Sequence, residues 1–155
     1  MTLRHELRFF DVPSGEQIAL ASACRDLEWA SHSAVLAWHA QGVFQRGRDG
    51  TGVLSTARSP SGQLLATTDD LSQVNLHRFP CVRVEKPGQP NRRSALGHAS
   101  PALACAWAEL PVSGGGGNMD ESAALVTAGG QDLCILHWRV RFAPLATQPA
   151  GHPWG

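Results

Sequence analysis

Residues 58–70 read RSPSGQLLATTDD. Ser59-Pro60-Ser61-Gly62 carries Pro at the second place and Gly at the fourth, which suits a type I turn. Val53 to Arg58 ahead of it is a short run with β-branched members. Leu64 to Thr68 behind it is a short apolar run bounded by turn residues, the pattern of a strand buried on both faces. Asp69-Asp70-Leu71-Ser72 supplies a second turn. Val74 and Leu76 then alternate with Asn75 and His77, the period of a strand. The stretch predicts three antiparallel strands joined by tight turns.

The unit recurs. ALACAWA (102–108), ALVTA (124–128), the turn Gly129-Gly130-Gln131-Asp132 and CILHWRV (134–140) repeat the order of strand, strand, Asp-bearing turn and strand. Asp70 and Asp132 stand 62 positions apart, more than the roughly 40–45 residues of a propeller blade. Two insertions take up the surplus: EKPGQPNRRSALGH (85–98) and the Gly-rich PVSGGGGNMDES (111–122). A degenerate unit precedes both. LRFFDV (7–12) reads as a closing strand, PSGEQ as a turn, and RDLEWAS and AVLAW as further strands. Short strands between Gly/Pro turns define an all-β chain, and their repetition points to a β-propeller.

Composition narrows the function classes. The chain has 155 residues and zero formal net charge, which argues against a general affinity for nucleic acid or an anionic membrane. No apolar run reaches the roughly 18 residues of a membrane span. MTLRHELRFF lacks the apolar centre of a secretion signal, so a cytoplasmic location is expected. Cys24, Cys81, Cys105 and Cys134 lack the CxxC spacing of zinc or redox sites and read as small buried hydrophobes. The seven His form no HxxxH or HExxH pair, so no metal and no cofactor is expected. No GxSxG, Walker loop or GxGxxG occurs. Adjacent Asp69 and Asp70 would point apart on an extended chain, which suits a turn better than general acid–base work. A catalytic function is not expected.

GQLLATTDD and LVTAGGQDLCILHW resemble the WD repeat, whose blades open on Gly-His and close on an Asp…Trp strand. Gly97-His98 matches the opening pair. Thr127, Asp132 and Trp138 match the strand, turn and closing positions. The resemblance implies a hydrogen-bonded network within the last blade, formed by His98, Thr127, Asp132 and Trp138. A buried His needs partners for both ring nitrogens, and an Asp and a hydroxyl can supply them. The middle repeat has no Gly-His ahead of it and has His77 at the closing place. No such network is expected there, and Asp70 is read as a turn former.

A narrower resemblance covers roughly residues 5–141. The order DLEWAS…VLAWHAQGVF…DGT…RSPSGQLLATTDD…VNLHRFPC…GH…TAGGQDLCILHWRV is similar to the C-terminal end of the echinoderm microtubule-associated protein-like family. That family carries two atypical propellers in tandem and binds tubulin and microtubules. The chain departs from it at Ala37, where the family has Gly, and at Asp49-Gly50-Thr51-Gly52, where it has DGTD. His77 replaces a Phe, and ASPALACAW follows Gly-His in place of a Ser/His/Val-rich stretch. The expected organisation is a degenerate partial blade over 1–48, a WD-like blade over 49–84 and a basic, Pro-rich loop over 85–98. A terminal blade follows over 99–141 with the insertion 111–122, then a disordered tail over 142–155 containing Trp154. Trp29, Trp38, Trp107 and Trp138 are expected in strands and core. With so few blades the propeller is expected to be incomplete.

Arg78, Arg83, Lys86, Arg92 and Arg93 face only Glu85 between residues 78 and 93. As a docking surface they fit an acidic partner such as the tubulin tails, while as a solvated loop plus an edge strand they need none. No aromatic residue interleaves them, which argues against single-stranded nucleic acid. The expected function is a cytoskeletal, non-catalytic interaction protein that binds tubulin or microtubules as part of a larger propeller. The competing readings are a general protein–protein scaffold and a truncated product with little activity of its own.

Overall fold

The computed structural model describes residues 8–44, 52–82, 92–108 and 122–141. The runs expected to be strands in the two repeats pair as antiparallel sheets. β1 (Phe9–Phe10) and β2 (Gln17–Ile18) form a small hairpin. β3 (Val53–Arg58), β4 (Leu64–Asp69), β5 (Gln73–Arg78) and β6 (Arg92–Leu96) form a four-stranded meander in that order. β7 (Ala102–Ala108), β8 (Ser122–Gly129) and β9 (Ile135–Arg141) form a three-stranded one. The strand content and the two similar meanders define WD-repeat propeller blades arranged as a partial ring.

The turns follow from their residues. Ser59 Oγ accepts the Leu64 amide at 3.0 Å, and Gly62 closes the turn onto the Ser59 carbonyl with a φ of 71°. Asp11 Oδ2 accepts the Ser14 amide and hydroxyl in the β1–β2 turn, and these bonds hold its carboxyl below the usual range.

The two meanders are built to one register. Thr67 and Thr127 occupy equivalent places on β4 and β8, as do Leu65 and Leu125. Both innermost strands slip register at the same point, between Val53 and Ser55 and between Ala102 and Ala104. The blades pack face to face around Ala66, Val74 and Leu125, with Leu76, Cys105, Trp107, Trp138 and Val140 against them. The Trp107 indole donates to the Ala57 carbonyl at 2.9 Å, and the Cys105 amide to Ser55 Oγ at 3.2 Å, which pins β7 across β3.

The N-terminal part differs from expectation. RDLEWAS and AVLAW are not strands. Ala21–Cys24 and Trp38–Val43 are 3₁₀ turns, and the stretch between them is irregular. A five-residue apolar run fits either state, and packing decides between them. Here Ala40 and Val43 pack on Leu65 and Cys81, while the Gly42 and Cys81 amides donate to the Cys81 and His39 carbonyls. Phe9–Phe10 pairs with Gln17–Ile18 and closes no blade. Trp29 lies outside any strand, stacked on Phe9 and partly exposed, and Trp38 opens a 3₁₀ turn.

Two further differences concern boundaries and thiols. The expected loop 85–98 contains β6, because the open edge of β5 supplies a partner for residues 92–96. Cys24 and Cys81 are buried, but Cys134 is exposed. The Gly-rich insertion up to residue 121, the tail beyond Arg141, Trp154, Leu7 and residues 49–51 of the DGT motif lie outside the described residues.

Candidate functional site

The hairpin turn between β8 and β9 brings four side chains together. His98 Nδ1 lies 2.9 Å from Asp132 Oδ2, and His98 Nε2 lies 2.8 Å from Thr127 Oγ1. The Trp138 indole donates to that same Oγ1 at 2.8 Å. An indole N–H can only donate, so Thr127 Oγ1 accepts from Trp138 and its own proton is free for His98 Nε2. His98 then carries its proton on Nδ1 and donates it to Asp132. Every polar proton in the chain of contacts is used once.

Asp132 is held from several sides. Its Oδ1 accepts the Cys134 amide at 3.1 Å and its Oδ2 accepts the Ala99 amide at 3.0 Å, while its own amide donates to Ser100 Oγ. The Cys134 amide does most to keep the carboxyl below its usual range. Desolvation works the other way, and His98 and the Ala99 amide add to the lowering. Gly97 is dictated by closeness: a Cβ there would sit 2.5 Å from Trp138 Cη2.

Asp132, His98 and Thr127 stand in the order of a nucleophilic triad, but the arrangement is closed to chemistry. Thr127 is 1% exposed and its oxygen already holds the Trp138 proton. A nucleophile needs an open approach and a free lone pair. The thiols of Cys81 and Cys105 are no better placed, since desolvation pushes both up to about 11.

The middle blade holds a different polar set. Asp69, not Asp70, caps its turn: Asp69 Oδ1 accepts the Leu71 and Gln73 amides at 3.1 and 2.8 Å. Asn75 donates to Asp69 Oδ2 at 3.0 Å, and the Ser94 hydroxyl donates to Asn75 Oδ1 at 2.5 Å. His77 Nε2 shares a 3.1 Å hydrogen bond with Thr67 Oγ1. The signal for Asp69 was present in the strand period. Leu65, Thr67 and Asp69 alternate on one face of β4, so Asp69 shares the threonine's side. Asp70 Oδ1 has no hydrogen-bond partner among the described residues.

The basic residues divide. Arg93 lies opposite Leu76 and Arg78 opposite Leu64, so the two are diagonal neighbours on one face. Both are exposed. Arg92 lies opposite His77 and projects from the other face. None of the three has an ion-pair partner among the described residues. Arg83 and Lys86 lie outside the described residues.

Together the two similar blades and the His98/Thr127/Asp132/Trp138 hydrogen bonding of the last one define WD-repeat β-propeller blades. The family model described as the echinoderm microtubule-associated protein second beta-propeller matches residues 1–140. The 77 kDa echinoderm microtubule-associated protein of Strongylocentrotus purpuratus is 35% identical over 136 residues, covering 88% of this chain and 18% of that protein. Human echinoderm microtubule-associated protein-like 2 is 36% identical over 140 residues, covering 88% of this chain and 19% of that one. Human echinoderm microtubule-associated protein-like 3 is 32% identical over 137 residues, 88% of this chain and 14% of the relative. The chain belongs to the echinoderm microtubule-associated protein family. It spans under a fifth of the length of these relatives.

Proposed function

We propose that the chain is a non-catalytic interaction module of the cytoskeleton that contacts tubulin or microtubules as part of a larger propeller. Two of its relatives are named as microtubule-associated proteins of sea urchins. The observation that carries the reading is the pair Arg78 and Arg93, exposed on one face with no acidic neighbour bonded to them among the described residues. Two neighbouring guanidinium groups attract an acidic chain over a distance of about 10 Å at 0.1 M salt. Arg92 contributes from the opposite face, and Arg83 and Lys86 extend the charge along the sequence. The polar sets around Thr127 and Thr67 serve the blades' own structure in this reading. No nucleic acid or membrane is involved.

The test is co-sedimentation of the chain with microtubules, before and after subtilisin removes the acidic tubulin tails. Binding is expected to weaken after tail removal, to weaken as salt rises, and to fall in the Arg78→Ser/Arg93→Ser variant. Binding that ignores all three changes overturns the assignment to these arginines.

A further inference from the structure

The turn between β3 and β4 reads Arg58-Ser59-Pro60-Ser61-Gly62, and the structure separates its two serines. Ser59 is 3% exposed, and its Oγ accepts the Leu64 amide at 3.0 Å. The Ser59-Pro60 pair therefore offers no open hydroxyl to a kinase that reads serine before proline. Ser61 is exposed at the tip of the hairpin. Its hydroxyl lies 3.1 Å from Ser59 Oγ, folded back over the residue that follows Arg58. Arg58 stands three places before Ser61, the spacing that arginine-directed serine kinases read with an acidic subsite. The middle blade's strands pair and pack without using this hydroxyl.

The same arginine is placed to hold the group such a reaction adds. Its guanidinium lies against Gly62 on the Nε and Nη2 side: a Cβ there would fall 2.7 Å from Nη2 and 3.3 Å from both Nε and Cζ. Arg58 Nε is buried and has no hydrogen-bond partner among the described residues. The group also covers the Phe79 ring at 4.5 Å, and the Phe79 amide donates to the Gln63 carbonyl at 2.8 Å, so the arginine is kept at the turn. Among the described residues its ion-pair partner is Glu28, 3.5 Å from Nη1 and 87% exposed. An ion pair so open to water holds a guanidinium weakly. A phosphoserine carries a charge of about −1.5 to −2 at pH 7 and three acceptor oxygens, and a guanidinium matches two of them at once. We propose that Ser61 is a phosphorylation site and that Arg58 receives the phosphate on the Nε–Nη2 side that faces the turn. Ser61 Oγ attacks the γ-phosphorus of ATP held by a serine kinase. The Oγ–P bond forms as the bond to the departing ADP breaks, and the hydroxyl proton passes to the kinase's base. The phosphate then ties the hairpin tip, through Arg58, to Phe79 at the end of β5.

Two measurements on the 155-residue chain test this. In the first, an arginine-directed serine kinase and ATP act on the chain, and mass spectrometry maps the phosphate. Ser61 is expected to be modified and Ser59 not, and Arg58→Gln should slow the transfer about tenfold or more. In the second, phosphoserine is installed at position 61 during translation, so that no kinase is needed, and the phosphate is titrated by phosphorus NMR. A guanidinium beside it favours the dianion, so its second ionisation should fall roughly half a pH unit or more below the ~6 of free phosphoserine. Arg58→Gln should return it to the value of a phosphorylated peptide of residues 55–65. Should Arg58→Gln lose its fold, Arg58→Lys takes its place and should return it part of the way, because the charge stays and the fork is lost. Phosphate on Ser59 instead of Ser61, no phosphate on either, an ionisation equal to the peptide's, or one unmoved by the Arg58 variant each overturns the proposal.

Discussion

His77 stands in the middle blade where Trp138 stands in the last. His77 lies opposite Leu65 and reaches Thr67, and Trp138 lies opposite Leu125 and reaches Thr127. The exchange keeps one hydrogen bond and adds an atom with no use for its place. His77 Nδ1 is buried and has no partner among the described residues. The ring also introduces a titratable group where the last blade has none.

That group makes stability depend on pH. Burial pushes His77 down to about 4, and the charge of Arg92 adds to the effect. The unfolded chain takes up this proton as pH falls through about 6.5, while the folded chain resists until about 4. The unfolded state thus binds more protons between those values, and stability drops as pH is lowered across the window. Acidifying from pH 7 to 4 is expected to remove on the order of 3 kcal/mol through His77 alone. His39, also down to about 4 through burial and then the charges of His32 and Arg58, works in the same direction. Urea titrations at pH 7, 5.5 and 4 measure the slope. His77→Phe should flatten it, and an equally steep slope in that variant would contradict the role given to this ring.

The middle turn separates two neighbouring carboxylates. Asp69 is nearly fully buried and serves two amides and Asn75, so Asp69→Ala strands three donors. A loss of about 2–4 kcal/mol is expected, since each unpaired buried group costs roughly 1–3 kcal/mol and the donors partly relax. Asp70→Asn should change stability by less than about 1 kcal/mol. Ser94→Ala lies between them, because it frees only Asn75 Oδ1. Chemical denaturation of the three variants ranks them, and an Asp70 variant costing as much as Asp69→Ala would reverse the assignment.

Much of this architecture is legible in the sequence where local patterns and packing agree. The strands of both blades sit between Pro/Gly and Asp/Gly turns, as short apolar runs in β4, β7 and β8 and as alternating apolar and polar residues in β5. The parts that escape such a reading owe their structure to distant partners. RRSAL has neither alternation nor β-branched residues and becomes β6 because the edge of β5 is open to it. AVLAW has the composition of a strand but finds no neighbouring strand, so Trp38–Val43 turns instead over Leu65 and Cys81. Asp69 and Asp70 look alike in composition, and only the strand phase tells which one shares a face with Thr67.

In the last blade, Thr127 joins two donors to one oxygen and is the member whose loss should be felt most. Thr127→Val keeps the shape but leaves the Trp138 indole and one nitrogen of His98 without partners. A cost of about 2–4 kcal/mol is expected. His98→Ala removes one partner each from Asp132 and Thr127, with about 1–3 kcal/mol lost. The two changes should be far from additive, since they break the same chain of bonds. Urea midpoints of the two single variants and the double variant give the coupling directly, and simple additivity would count against a shared network.

Gly97 and Trp138 form the other coupled pair. A Cβ on residue 97 would fall 2.5 Å from Trp138 Cη2 and 2.9 Å from both Trp138 Cζ2 and Leu136 Cδ1. These are the far ends of side chains, so Gly97→Ala can be admitted if the indole moves. The indole is not free to move without lengthening its 2.8 Å bond to Thr127 Oγ1. The expected cost is therefore the crowding together with part of that hydrogen bond, about 1–3 kcal/mol. Trp138→Phe removes both the outer ring edge and the N–H. It should itself destabilise the blade, through the space left and the partner lost. In that background Gly97→Ala meets a shorter side chain and has no indole bond left to disturb. Its cost should then fall below about 1 kcal/mol, even though the same methyl group is added to the same backbone. A double-mutant cycle read by urea denaturation measures this difference. Equal costs in the two backgrounds would show that the glycine serves the backbone here and not the tryptophan.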